Sequence, residues 1–518
     1  MTRTAQASAR RGAKGRRRKK PDRRPPLPVI ALAGVGILAV LLAVGGLLVR
    51  PAADAVEVGA NRVVNDGGPH QLVDARNSPT VVRNPTDADN VVVVHRLDRP
   101  SYSAELHWSR DGGQQWSVTD LPLPAGLDRP FAPDVAFGLD GTLYVVYSHL
   151  EGPGNVPTGL WLARSEDGGQ SLDGPWEVAG ELAFQPRVVV HPDGNVHVMY
   201  VQAEDVAVLQ FVGPVAVVAV HSDDGGERFT DPVPVSDPDR PRVGVPAPAV
   251  DNEGDLVVVY QDFKDNVRDF QNLEGPPWPE PAALVLSRST DGGASFSEGS
   301  EFESGLVPVK RFLPFLPEFP SLAVGPDGDL LVVWSDGRND DEDVFVRRSA
   351  DGGGTWTEPV RVNDNPEGDG TSQYMPVVDV ATDGRIDVAF LDRRHDPDDV
   401  LMDVYLAYSA DGAASFSNVR VSSESFDSEI GATPSTHLPI DFGTRMGLVS
   451  DRGSALVAWT DTRLAQDVEH GRQDIFAARV SLPGSGLARL ATLVALGALL
   501  AGLACLAAAG WLQRRRAR

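Results

Sequence analysis

Three short segments place a carboxylate two residues ahead of a guanidinium: Asp336-Gly337-Arg338, Asp392-Arg393-Arg394 and Asp461-Thr462-Arg463. Acidic runs follow two of them, Asn339 to Asp343 and His395 to Asp399. Three chemistries are open to such a pattern. Each pair can close on itself as an ion pair that pins its own loop. The carboxylates of Asp336, Asp340, Asp392, Asp396 and Asp461 can offer hard oxygen ligands to calcium, the one cofactor these residues suggest. Arg338, Arg394 and Arg463 can grip an anionic ligand through bidentate contacts. Repetition favours the first chemistry, because catalytic groups are usually unique and structural ones recur. Glu318, Tyr374, His437 and Arg187 stand in segments ahead of expected strands and add polar groups. The stretch from Lys264 to Pro281, with Trp278, is long enough to line a groove.

The chain that must position these residues has 518 of them, 42% hydrophobic and 23% charged, which suits a packed core. Its 52 glycines and 41 prolines suit many tight turns between short strands. The net charge of −25 is divided: about +11 over residues 1–50, about +5 over 487–518, and so about −41 between them. An acidic body excludes nucleic acid as a partner, because phosphate contacts need a basic surface. The only cysteine, Cys505, falls outside that body, which therefore has no disulfide framework and no thiolate metal site.

Val29–Val49 and Leu490–Leu512 are uncharged runs long enough to cross a bilayer as helices. A basic arm (1–28) precedes the first; a short linker (482–489) leads into the second, and a basic tail (513–518) follows it. Positive flanks stay in the cytoplasm, so both ends are expected inside and the body (56–481) outside, at the cell surface. Two alternatives accompany this topology. Ala53-Asp54-Ala55 has the form of a signal-peptide cleavage site. Leu482-Pro483-Gly484-Ser485-Gly486 resembles a Gram-positive cell-wall sorting signal, with Ser485 where that signal has threonine. The bias towards Ala, Val, Arg and Asp fits a bacterial chain.

The body is repetitive. One octapeptide recurs six times, beginning at Ser109, Ser165, Ser222, Ser289, Ser349 and Ser409, at spacings of 56, 57, 67, 60 and 60. Its third residue is always aspartate: Asp111, Asp167, Asp224, Asp291, Asp351 and Asp411. Ala413 replaces the usual fifth-position glycine, and Leu172 replaces the usual final aromatic residue. These aspartates are read as structural, because Ser and Asp side chains can bond the backbone of their own turn. Ahead of each octapeptide stands proline, an apolar stretch, a tight turn and an apolar strand, as in Pro133 to Tyr147. That is a β-hairpin. Hairpin, third strand, octapeptide and fourth strand together make a four-stranded propeller blade.

Seven hairpins are expected for six octapeptides. The seventh, Gly447 to Trp459, has a third strand at Asp474–Val480 and no fourth. Arg62-Val63-Val64-Asn65-Asp66 resembles Val360-Arg361-Val362-Asn363-Asp364 at the end of the fifth blade. Residues 56–66 are therefore expected to complete blade seven.

The octapeptide resembles the Asp box, S-x-D-x-G-x-x-W/F, of sialidases and other BNR-repeat proteins. The resemblance covers most of 56–481 and implies an all-β, seven-bladed β-propeller flanked by N- and C-terminal transmembrane helices, with the six-bladed sialidase ring as alternative. It also implies that ligands bind on the rim of the B–C and D–A loops, away from the octapeptides. For a sialidase it would require an arginine triad, a Tyr–Glu nucleophile pair and an aspartate acid/base. Tyr374 with Glu318 is the nearest Tyr–Glu pair by loop position. The nearest match to the family's first arginine motif, Arg83-Asn84-Pro85, falls in an A–B turn on the opposite rim. The reading is thus a membrane-anchored propeller that binds a glycan or protein on its B–C rim without catalysis. Exo-α-sialidase or other glycoside hydrolase activity, and a scaffold for an envelope complex, are the alternatives.

Overall fold

The computed structural model describes residues 56–65, 74–152, 156–205, 214–264, 281–307, 320–431, 442–465 and 471–483, with scattered positions from 504 to 515. Among them no helix is long and apolar enough to cross a membrane. Val29–Val49 lies outside the described residues, as does most of Leu490–Leu512.

The body is all β and forms seven antiparallel sheets. Six blades follow one another along the chain, spanning 76–119, 130–179, 183–234, 243–306, 321–361 and 373–427. Blade seven combines Gly447–Asp451, Ser454–Asp461 and Asp474–Ser481 with two short strands from the other end, Glu57–Val58 and Arg62–Val63. The strand of residues 474–481 would otherwise be an open edge.

The expected likeness between residues 62–66 and 360–364 extends to individual hydrogen bonds. Val64 N donates to Ile475 O, and the Asn65 side chain bridges Asp474 Oδ1 and Ile475 N, each at 2.8–2.9 Å. In blade five Val362 N donates to Val344 O, and Asn363 bridges Asp343 Oδ1 and Val344 N. One local chemistry terminates both blades, although in blade seven it joins residues 410 apart.

Both faces of each sheet are buried, and the core is a set of inter-blade layers. In strand Ile386–Asp392, Ile386, Val388 and Phe390 pack towards blade five while Ala389 and Leu391 pack towards blade seven. This is the period of two that a strand imposes. Seven such clusters, one at each blade boundary, close the ring.

The six octapeptides form the same turn. Each serine donates to its aspartate at 2.8–2.9 Å and accepts the fifth-position N–H at 2.8–3.1 Å. The aspartate also accepts the seventh-position N–H at 2.8–3.0 Å. Hydrogen bonds from Ser295, first its hydroxyl and then its N–H, hold Asp291 down at about 2. The fifth residue is left-handed in every copy, with φ of 88–99° at the five glycines and 68° at Ala413. The turns share a rim with the A–B hairpin turns: Gly112 N donates to Asp89 O, and Arg110 pairs with Asp87 at 3.0 Å.

Candidate functional site

Strand A of every blade faces the central channel, and a repeated distortion controls what it presents there. Five of these strands carry a β-bulge, between Asn77 and Thr80, Phe131 and Asp134, Phe184 and Arg187, Gly244 and Ala247, and Tyr374 and Val377. Inside each bulge the residue before proline is left-handed: Ser78, Ala132, Gln185, Val245 and Met375, with φ of 48–58°. None is glycine, so each is strained by roughly 1–3 kcal/mol. A bulge re-aims the side chains that follow it.

The residue after the proline then occupies one equivalent place in each blade, paired across to strand B. Around the ring these are Thr80, Asp134, Arg187, Ala247, Ser321 and Val377, with Gly447 in blade seven. Blades one to three thus supply polar or charged groups, and four to seven supply small or apolar ones. A cavity of about 170 Å³ opens among these strands, lined in part by Thr80, Arg187, Ala247, Ser321, Val377 and Arg445.

A polar arc crosses four blades at the cavity wall. Arg445, from blade seven, donates through Nε to Thr80 Oγ1 at 2.8 Å and through Nη2 to Pro133 O. Thr80 Oγ1 donates onward to Asp134 Oδ1 at 3.3 Å. Asp134 accepts Arg187 Nη1 at 2.9 Å and Val188 N at 3.0 Å. Arg445 is 9% exposed. Burial, and then the Arg187 guanidinium, push it down to about 9, with Arg96 adding to the fall and Asp134 opposing it. A guanidinium keeps its proton at physiological pH, so Arg445 and Arg187 stand as two cations beside the single carboxylate of Asp134.

The Asp-x-Arg segments have a different geometry. Arg338 Nε lies 2.8 Å from Asp336 Oδ2, Arg394 Nε 2.8 Å from Asp392 Oδ2, and Arg463 Nη2 2.7 Å from Asp461 Oδ2. All three aspartates are fully buried. Each guanidinium also lies over an aromatic residue of strand C: Phe345 at 4.8 Å, Tyr405 at 4.1 Å and Phe476 at 4.7 Å. Those rings stack in turn on Trp334, Phe390 and Trp459 at 6.1–6.2 Å. Further partners hold the arginines: Glu303 for Arg338, Asp364 for Arg394, and Asn61 and Ser423 for Arg463. None of the three lines the cavity.

The five aspartates considered for calcium are spread over three blades. Asp340 is exposed. Asp396 accepts the backbone N–H groups of Val400 and Leu401 at 2.9 and 2.7 Å, folding its own loop. Among the described residues, the three-membered group of His, Asp or Glu side chains that converge closely enough to share an ion is His95, Glu105 and His107.

Tyr374 is 6% exposed within the core between blades six and seven, and its hydroxyl accepts Arg393 Nη2 at 2.9 Å. Glu318, His437 and Trp278 lie outside the described residues. Arg187, expected ahead of strand A, sits inside it, because Ala183–Val190 begins before the bulge. Arg83 is next to last in the strand Arg76–Asn84, which ends on the octapeptide rim, and pairs with Asp451. Blade four carries a variant of the Asp-x-Arg motif of which the sequence alone marks only Asp262. In Asp262-Phe263-Lys264 a lysine replaces the arginine, with Nζ 3.1 Å from Asp262 Oδ2. Thr80, Asp134 and Arg445 carry no such mark in the sequence, although the first two directly follow the prolines of their hairpins.

No protein-family model and no curated protein matches this chain. Solved structures with a similar course of chain include a protein of unknown function from Dyadobacter fermentans, at 15% identity and a TM-score of 0.46, covering 83% of this chain and all of that one. A PL25 ulvan lyase has 11% identity and a TM-score of 0.44 over 80% of this chain and 95% of its own. A Hadza microbial sialidase has 19% identity and a TM-score of 0.41 over 61% of this chain and 63% of its own. At such identities and scores the assignment of the fold rests on the sheet topology of the chain itself.

Proposed function

We propose that this chain is an extracytoplasmic, membrane-tethered β-propeller that binds an anionic glycan, one bearing a carboxylate, at the mouth of its central channel and does not cleave it. The observation that carries this reading is the arc Arg445–Thr80–Asp134–Arg187, which concentrates positive charge at one side of a cavity of about 170 Å³ in a strongly acidic body. A planar guanidinium suits a carboxylate, and a mixed wall of Ser321, Ala247 and Val377 suits the polar edge and apolar face of a sugar ring. The tether is inferred from the two apolar runs and their basic flanks.

The test uses the full chain in detergent micelles on arrays of uronate-, sialate- and neutral-terminated glycans. Carboxylate-bearing glycans are expected to bind, with loss of at least tenfold in affinity for Arg445→Ala and no release of product. Equal binding of neutral glycans overturns the anionic specificity. Release of a fluorophore from a sialyl or other glycosyl reporter overturns the non-catalytic reading in favour of a glycoside hydrolase. For the tether, protease added outside intact cells should remove the body while Cys505 stays protected from impermeant thiol reagents.

A further inference from the structure

Away from the channel, on the face of blade one turned towards blade seven, two imidazoles and a carboxylate converge. His95 lies near the end of strand Asp87–Leu97, and Glu105 and His107 lie on strand Ser103–Ser109. The register pairs His95 with Glu105 and Val93 with His107, so all three side chains share a face. Val91 and Val93, on that face, pack into the core joining blades one and seven. Glu105 Oε2 lies 3.2 Å from His107 Nε2 and 3.4 Å from His95 Nε2. All the candidate ligand atoms fall within 4.8 Å of one another.

The hydrogen bonding of His95 defines what this cluster can take. Its Nδ1 lies 3.2 Å from Arg96 O, which can only accept. A neutral imidazole has one N–H, so that proton sits on Nδ1 and Nε2 presents a lone pair. That lone pair, fully buried, makes no hydrogen bond and faces a carboxylate oxygen. Two acceptors aimed at each other are reconciled by a cation between them.

We propose that His95, Glu105 and His107 form a site for a divalent ion of the zinc class, bound through the two Nε2 atoms and Glu105 Oε2. Ligand atoms around a tetrahedral zinc stand about 3.3 Å apart, given bonds of about 2.0–2.1 Å, close to the 3.4 Å between His95 Nε2 and Glu105 Oε2. Two imidazoles and one carboxylate select zinc, cobalt or nickel over calcium and magnesium. The Arg96 carbonyl fixes the His95 ring as partners of metal-bound imidazoles do. The rings are stacked, 5.1 Å apart at 12°, and His107 Nε2 is hydrogen-bonded to Glu105 Oε2 at 3.2 Å, so to share the ion His107 gives up that bond and turns about its Cβ–Cγ bond. Arg76 also contacts Glu105, at 3.0 and 3.2 Å, but its charge is balanced by Asp74 at 2.9 Å. Entry is through Glu105, whose side chain is 24% exposed.

The full chain in detergent micelles, stripped with a chelator and held in excess Ca²⁺, is titrated with Zn²⁺ and with Co²⁺. One equivalent of each is expected to bind. The cobalt form should show the intense visible absorption of four-coordinate Co²⁺, and Zn²⁺ should raise the melting temperature. His95→Gln and Glu105→Gln should each lose the equivalent. A weak, six-coordinate cobalt spectrum, or undiminished uptake by both variants, overturns the site. Should His95→Gln fail to fold by circular dichroism, the isosteric Glu105→Gln and the wild-type cobalt spectrum decide.

Discussion

The loop ends of blades five to seven and the channel wall of blades one to three are built from the same residue types to opposite effect. In the first region Asp336, Asp392 and Asp461 each meet an arginine two residues on, over an aromatic shelf, three times in near-identical form. In the second, Thr80, Asp134 and Arg187 occupy equivalent places and share no chemistry, and Arg445 joins them from blade seven. Repetition around a ring solves a problem that every blade has, here the fixing of a B–C loop end. A ligand meets the ring on one side only, so its site must break the repeat. Charge alone does not distinguish the two regions; departure from the sevenfold pattern does.

That contrast can be attacked by substitution. The largest expected effect is on stability in the repeated region. Asp392→Ala leaves the Arg394 guanidinium without its buried partner and should destabilise the fold by about 3–5 kcal/mol. Denaturant melts measure it, and a loss below about 1 kcal/mol would remove the structural reading of the motif. In the arc the expectation reverses. Arg445→Met should cost less stability than Asp392→Ala, about 1–2 kcal/mol, since burial already disfavours the cation it removes and the loss is that of the hydrogen bonds to Thr80 and Pro133, while abolishing binding of the anionic glycan.

A third test concerns Asp379, on the octapeptide rim. Its carboxyl accepts Ser450 N at 2.6 Å, and burial pushes it up to about 7 against the backbone hydrogen bonds of Ser450 and Val380. A folded-state value above the unfolded one means that its contribution is fully present below about pH 4 and is lost as pH rises through about 7. Melting temperature should therefore fall between pH 5 and 8 in the wild type, and less so in Asp379→Asn. Identical profiles would exclude this carboxyl. The smallest effect is expected at Ala413, which holds a left-handed conformation with φ of 68° where the other five turns have glycine. Relief of that strain in Ala413→Gly, offset by a lost buried methyl, should leave stability within about 1 kcal/mol of the wild type. A larger loss would show that the sixth turn depends on the methyl.

Much of the architecture was legible because it repeats. The octapeptides, the seventh hairpin and the likeness of residues 62–66 to 360–364 all point to a ring closed by its N-terminal strands, and the pairing of Arg62 with Ala477 bears this out. The channel wall was hidden for a physical reason. What brings Thr80, Asp134 and Arg187 to it is a bulge whose left-handed residue is Ser78, Ala132 or Gln185, and none of these residue types announces that conformation. Lys264 was passed over because lysine in place of arginine conceals a motif defined by its guanidinium. His95 and Glu105 become neighbours only through a strand register, which spacing along one strand does not reveal.

The clasp of blade seven also bears on how the molecule is made. Asn65 must bond to Ile475, 410 residues later. At roughly 5–20 residues per second, ribosomes take roughly 20–80 s to bridge that interval. Throughout it the earliest strands have no sheet to join, and the six blades completed one after another form an open arc. Nascent chains of this protein therefore pass through a prolonged vulnerable stage, during which a holding chaperone has something definite to protect.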